Sequence, residues 1–125
     1  MSPQVLVVSR DQMLVQTRQW ILGTLFRVEG AGRVREAEVL ISRRRFDLIV
    51  LCYTLSEDEC KRMFDLIERQ KPLPKVLILT AAGSKPVGCI PESALTIEAG
   101  PHELLKKAAE IFGIDLKEKA KLVAV

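Results

Sequence analysis

The feature that most constrains this chain is a set of short runs that are apolar at every position. Residues 5–8 read Val5-Leu6-Val7-Val8, residues 48–51 read Leu48-Ile49-Val50-Leu51, and residues 76–79 read Val76-Leu77-Ile78-Leu79. A strand with one face in water alternates apolar and polar residues. A strand buried on both faces does not, and that condition is met in parallel sheets covered by helices on each side. The runs therefore predict central strands of such a sheet. A weaker run at 28–31 predicts an edge strand.

Between the runs the apolar spacing becomes helical. Leu14, Ile21, Leu22 and Leu25 mark one stripe, with Asp11 placed to cap its amino end. Ala37, Leu40 and Ile41 mark a second. Cys60, Met63, Phe64 and Ile67 follow the i, i+3, i+4, i+7 pattern of a third. Ser56 and Glu59 stand in the spacing of a capping box at its start. Leu104, Leu105, Ala108, Ile111 and Phe112 mark a last helix, opened by Gly100-Pro101 and closed by Gly113. Strands and helices that alternate in this way predict a three-layer, doubly wound α/β domain with a five-stranded parallel sheet. Right-handed crossovers put helices on both faces.

One stretch breaks the pattern. Residues 81–91 contain Gly83, Pro86, Gly88 and Pro91. Inside a helix a proline costs about 3 kcal/mol and a glycine about 1. A loop or a single short turn is expected there in place of a full crossover helix.

At 125 residues the chain fits one domain, and 48% apolar residues suffice for one core. The domain is expected over 1–125, with its core at about 4–112 and a tail at 113–125. No apolar run approaches the ~20 residues that span a bilayer. Met1-Ser2-Pro3-Gln4 leads straight into the first strand without a signal-peptide pattern, so a cytoplasmic setting without membrane contact is expected. Cys52, Cys60 and Cys89 are widely spaced, and His102 is the one histidine, which suggests neither a disulfide framework nor a metal site. No cofactor is implied. A net charge of +3 does not point to nucleic acid.

Taken together, Val5-Leu6-Val7-Val8, Phe46-Asp47-Leu48-Ile49-Val50-Leu51, Val76-Leu77-Ile78-Leu79-Thr80-Ala81 and Pro101-His102-Glu103-Leu104-Leu105 resemble the receiver domain of two-component response regulators. The resemblance covers about residues 4 to 112 and implies a flavodoxin-like sheet order. It also implies a phosphorylation pocket at the carboxyl ends of the strands, the edge where open α/β sheets bind ligands. Receivers carry two adjacent acidic residues after the first strand to hold Mg²⁺, and Ser9 and Arg10 stand there in this chain. The phosphoacceptor aspartate ending the third strand corresponds to Cys52. The lysine ending the fifth strand corresponds to Ile97, and the aromatic switch residue before it to Ala94. The hydroxyl ending the fourth strand is retained as Thr80. The segment after Thr80, where the family has its fourth helix, is shorter than usual.

These departures remove the chemistry. Transfer of a phosphoryl group to a carboxylate needs an anionic oxygen nucleophile and a cation to balance the developing charge. Mg²⁺ prefers hard oxygen ligands, and Ser9, Arg10 and Cys52 supply no carboxylate. The resemblance thus implies a degenerate pseudo-receiver that acts without phosphorylation, as a protein–protein interaction module in bacterial-type signalling or transcription control. It would not be an enzyme. Its partner is expected to be a protein, and a homodimer is one form this could take.

The competing reading is a small-molecule or redox sensor centred on Cys52, with Arg10 lowering the pKa of the thiol. Ser9, Arg10 and Thr80 together could also hold a small anion. Arg43, Arg44 and Arg45 form a basic cluster with Arg27, Arg33 and Arg35. No aromatic platform is interleaved with it, so a solvated helix end is the simpler reading than nucleic-acid binding. Trp20 and Tyr53 are candidate anchors for a partner surface, since aromatic residues are enriched at interface hot spots.

Overall fold

A computed structural model describes residues 3–80, 95–98 and 100–114. In chain order the elements are β1 (Gln4–Val8), α1 (Gln12–Leu22), β2 (Arg27–Ala31), α2 (Val34–Arg43), β3 (Leu48–Leu51), α3 (Glu57–Glu68), β4 (Lys75–Thr80), β5 (Leu95–Glu98) and α4 (Pro101–Ile111). The strands form a five-stranded sheet in the order β2-β1-β3-β4-β5. Every pairing is parallel. The three continuous apolar runs are the three inner strands, and the weak run at 28–31 is edge strand β2.

The alternation of strand side chains divides the core in two. Leu6, Val8, Ile49, Leu51, Val76 and Ile78 face one way and pack with Val34, Ala37 and Ile41 of α2 and Cys60, Met63, Phe64 and Ile67 of α3. Val5, Val7, Leu48, Val50, Leu77 and Leu79 face the other way and pack with Leu22 of α1 and Leu104 and Ala108 of α4. Both faces of β1 and β3 are thus sealed, as their composition requires. Phe26 and Phe112 close the α1/α4 side with ring centroids 5.3 Å apart. Gly30 is needed where α1 crosses β2: a Cβ there would lie 2.5 Å from Val15 Cγ1.

The helix ends follow their local sequences. Asp11 accepts from the amides of Met13 and Leu14 and caps α1. Ser56 and Glu59 form the complete capping box at α3. Pro101 occupies the first turn of α4, and Gly113 takes φ +67° just past its end. There the Ile114 amide donates to the Ala109 carbonyl at 2.8 Å, which closes the helix in a Schellman-type turn.

One stripe differs from its sequence reading. The buried residues of α1 are Val15, Arg18 and Leu22, while Leu14 and Ile21 are only half-buried. An arginine therefore occupies an inward position of this helix. The stretch at 81–91, expected as a loop, and the tail beyond Ile114 lie outside the described residues.

The candidate functional site at the carboxyl edge of the sheet

The carboxyl ends of β1, β3 and β4 bring Ser9, Cys52 and Thr80 to one edge of the sheet, and all three are buried. Ser9 follows β1, and its amide donates to the Ala31 carbonyl. Cys52 follows β3, and its amide donates to the Val8 carbonyl at 3.0 Å. The backbone then turns, with the Leu55 amide donating to the Cys52 carbonyl. This turn presents Thr54 to the end of β1. The Ser9 and Thr54 hydroxyls are hydrogen-bonded at 3.1 Å, and Thr54 Oγ1 also accepts from the Arg10 amide at 2.9 Å. Ser9 Oγ accepts from the Asp11 amide as well. The loop after β1 and the loop after β3 are thus laced together by two hydroxyls, where the resemblance led us to look for carboxylates.

The side chain of Arg10 goes elsewhere. Its Nε lies 2.7 Å from Glu59 Oε1, and the arginine side chain is 61% exposed. Burial opposes ionisation of Glu59, but donation from Ser56 and the charge of Arg10 outweigh it and hold this carboxyl below its ordinary range. Glu59 therefore acts as the capping-box acid and the partner of Arg10. Asp11 is used as a helix cap, and Asp47 accepts from the Gln4 amide at the opposite edge of the sheet. Among the described residues there is no group of three metal-ligating side chains.

The cation that lowers the Cys52 thiol is Arg18. It is only 4% exposed, and its guanidinium lies 5.8 Å from the centroid of the Tyr53 ring. Burial pushes the Cys52 thiol up, yet the Ser9 and Thr54 hydroxyls, the Arg18 guanidinium and the Thr54 amide together hold it below the ordinary thiol value. The expectation that Arg10 tunes Cys52 is corrected accordingly. Arg10 is drawn to the acidic first turn of α3, and Arg18 reaches the thiol from within α1. The three side chains expected to hold a small anion, Ser9, Arg10 and Thr80, each have other partners. Thr80 Oγ1 donates to the Ile97 carbonyl at 3.2 Å, and Arg10 is engaged by Glu59.

Ile97 itself packs, half-buried, against the apolar cluster beneath α1 and α4. Ala94 lies outside the described residues. Sequence reading missed Arg18, Thr54 and the pairing role of Glu59. The signal for Arg18 was present, because it stands three residues after Val15 and four before Leu22, in step with the buried stripe.

The remaining candidates lie apart. Trp20 is 83% exposed on the outer face of α1, with Met13 on the same helix also exposed. Tyr53 is exposed beside Cys52. Arg43, Arg44 and Arg45 are exposed at the end of α2, and Arg44 Nη1 pairs with Glu29 at 2.6 Å. His102 is exposed in the first turn of α4. No described helix is long and apolar enough to cross a membrane.

No protein-family model and no curated protein matches this chain. Solved structures do. The chemotaxis response regulator CheY4 of Vibrio cholerae superposes with a TM-score of 0.70 at 20% identity, over 89% of this chain and 99% of that one. The receiver domain of Francisella response regulator 1452 gives 0.68 at 20% identity, over 89% and 97%. A CheY-like receiver protein of Methanospirillum hungatei JF-1 gives 0.69 at 17% identity, over 88% and 94%. With this agreement in strand order, layers and extent, the chain has the fold of a response-regulator receiver domain.

Proposed function

We propose that this domain is a phosphorylation-independent receiver that works by binding another protein in a signalling or transcription pathway. The observation that carries the reading is the chemistry of its carboxyl edge. Ser9, Thr54, Cys52 and Thr80 line it, and the nearby carboxylates of Asp11 and Glu59 serve as a helix cap and an ion-pair partner. A family-like transfer would need a carboxylate nucleophile and a Mg²⁺ site here. Among the described residues neither is in place, which supports regulation through a constitutive surface. Exposed Trp20 on α1 is the leading anchor, since a solvated indole is an unusual use of a large apolar side chain. The partner is a protein, a second copy of this chain included. The engagement of Arg44 by Glu29 weighs against a phosphate-binding role for the arginine cluster.

An amide NMR titration with Mg²⁺ and beryllofluoride, a phosphoryl mimic, tests the reading. Unchanged resonances at Ser9, Arg10, Cys52 and Thr80 are expected. Saturable shifts at those positions would overturn it.

A further inference from the structure

Arg18 poses a question that the protein-binding reading does not answer. A guanidinium is charged at every accessible pH, and burying it is costly without an anion or a full set of acceptors. Arg18 is nine-tenths buried, and among the described residues no carboxylate pairs with it and its Nη1 has no hydrogen-bond partner. The ring of Tyr53 covers the guanidinium at 5.8 Å. A neighbouring group able to carry negative charge is the Cys52 thiol, at the end of β3 beside Tyr53 and close to the mutually hydrogen-bonded hydroxyls of Ser9 and Thr54.

We propose that Cys52 and Arg18 form a peroxide-reactive site, in which the Cys52 sulfur is the nucleophile and Arg18 Nη1 is the donor that receives the oxygen added to it. The Cys52 thiolate attacks one oxygen of hydrogen peroxide. An S–O bond forms, the O–O bond breaks, and the sulfur loses two electrons to become a sulfenic acid. The departing hydroxide takes a proton from solvent and leaves as water. The product carries one more acceptor oxygen than the thiolate, and Arg18 Nη1 is a buried donor without a partner among the described residues. That fit distinguishes Cys52 from an inert core cysteine. Cys52 is 2% exposed, so the suitable reagent is small and uncharged and reaches the sulfur through local opening of the edge.

The molecule holds its own control. Cys60 is also buried, and burial together with the nearby charges of Glu59 and Cys52 pushes its thiol up. The experiment treats the folded protein with hydrogen peroxide and traps sulfenic acid with dimedone. Peptide mass spectrometry then reads the rate at each cysteine. Adducts at Cys52 well ahead of Cys60 are expected.

In a Cys60→Ser, Cys89→Ser background, the ultraviolet absorbance of the thiolate should titrate below the ordinary thiol value, and Arg18→Leu should move that midpoint up. Each tenfold loss of thiolate slows the peroxide reaction by only about threefold, because a more basic thiol is the better nucleophile. Arg18→Lys should restore part of the shift. Equal labelling of Cys52 and Cys60 in the wild-type chain would overturn the proposal, as would a Cys52 midpoint at the ordinary value. Both readings need no Arg18 variant, so they stand even if Arg18→Leu fails to fold. A Cys52 midpoint unmoved by a folded Arg18→Leu would overturn the role of Arg18. The beryllofluoride titration is separate, so either idea can fail alone.

Discussion

Cys52 and Cys60 are both buried cysteines, yet burial has opposite consequences for them. Cys60 sits among Met63, Phe64 and the apolar side chains of the sheet, where burial and the charges of Glu59 and Cys52 push its thiol up. Cys52 is buried more deeply but at the end of a strand, where Ser9, Thr54 and Arg18 converge, and its thiol is held down. Desolvation alone raises any thiol. The contrast shows that the neighbours decide the sign. In this fold a polar neighbourhood is found where the strands stop and the loops turn back, one residue beyond the apolar runs of β1 and β3.

The largest effect that can sharpen this contrast lies in packing. Met63→Ala empties space in the fully apolar region around Cys60 and should cost about 2–5 kcal/mol in urea unfolding. Arg18→Leu, a truncation at an equally buried site, should be neutral or stabilise by up to about 2 kcal/mol, because it removes a buried charge and Cys52 can simply protonate. A large loss on Arg18→Leu would break the comparison, since it would make Arg18 a packing residue first and a charge second.

Next come the thiols themselves. Cys60→Ser places a hydroxyl among apolar atoms and should cost about 1–3 kcal/mol. Cys52→Ser meets donors and acceptors already in place and should cost under about 1 kcal/mol.

The same pair separates with pH. Cys52 has a folded pKa below the ordinary 9.0, so it adds stability that is complete above 9.0 and is lost as pH falls through the depressed value. Cys60 is raised, so its contribution is complete below 9.0 and is lost as pH rises through the higher folded value. With Cys89→Ser in both, the Cys60→Ser chain should gain stability as pH approaches 9.0 from below, and the Cys52→Ser chain should not. Parallel profiles would remove the distinction between the two sites.

The smallest effect tests the reassignment of Arg10. Arg10→Ala should cost only about 0.2–1 kcal/mol, as an exposed ion pair does. It should also move the Glu59 carboxyl back toward its ordinary value while leaving the Cys52 titration in place. The stability that Glu59 supplies is present above its ordinary pKa and is lost as pH falls through the depressed one, so Arg10→Ala should narrow that acid-sensitive window. NMR titration of Glu59 and of the thiolate in the same variant reads both. A Cys52 titration that moved with Arg10 would restore the original assignment.

Most of the architecture was legible in the sequence because strands and helices write their burial into local periodicity. Continuous apolar runs identified β1, β3 and β4, and the spacing of Cys60, Met63, Phe64 and Ile67 identified the inner face of α3. The caps at Asp11, Ser56 and Gly113 are likewise local, since each satisfies backbone groups within a few residues of itself. The positions that fill the edge, Ser9, Cys52 and Thr80, followed from strand ends together with the receiver resemblance. The partners of those residues did not follow. Arg10 and Glu59 are 49 positions apart (59 minus 10), and Arg18 and Tyr53 are 35 apart (53 minus 18). Which of two arginines reaches a thiol depends on where a helix is rotated against the sheet. A one-dimensional pattern carries the period of that helix but only weakly its phase, and the tertiary packing of α1 decided it.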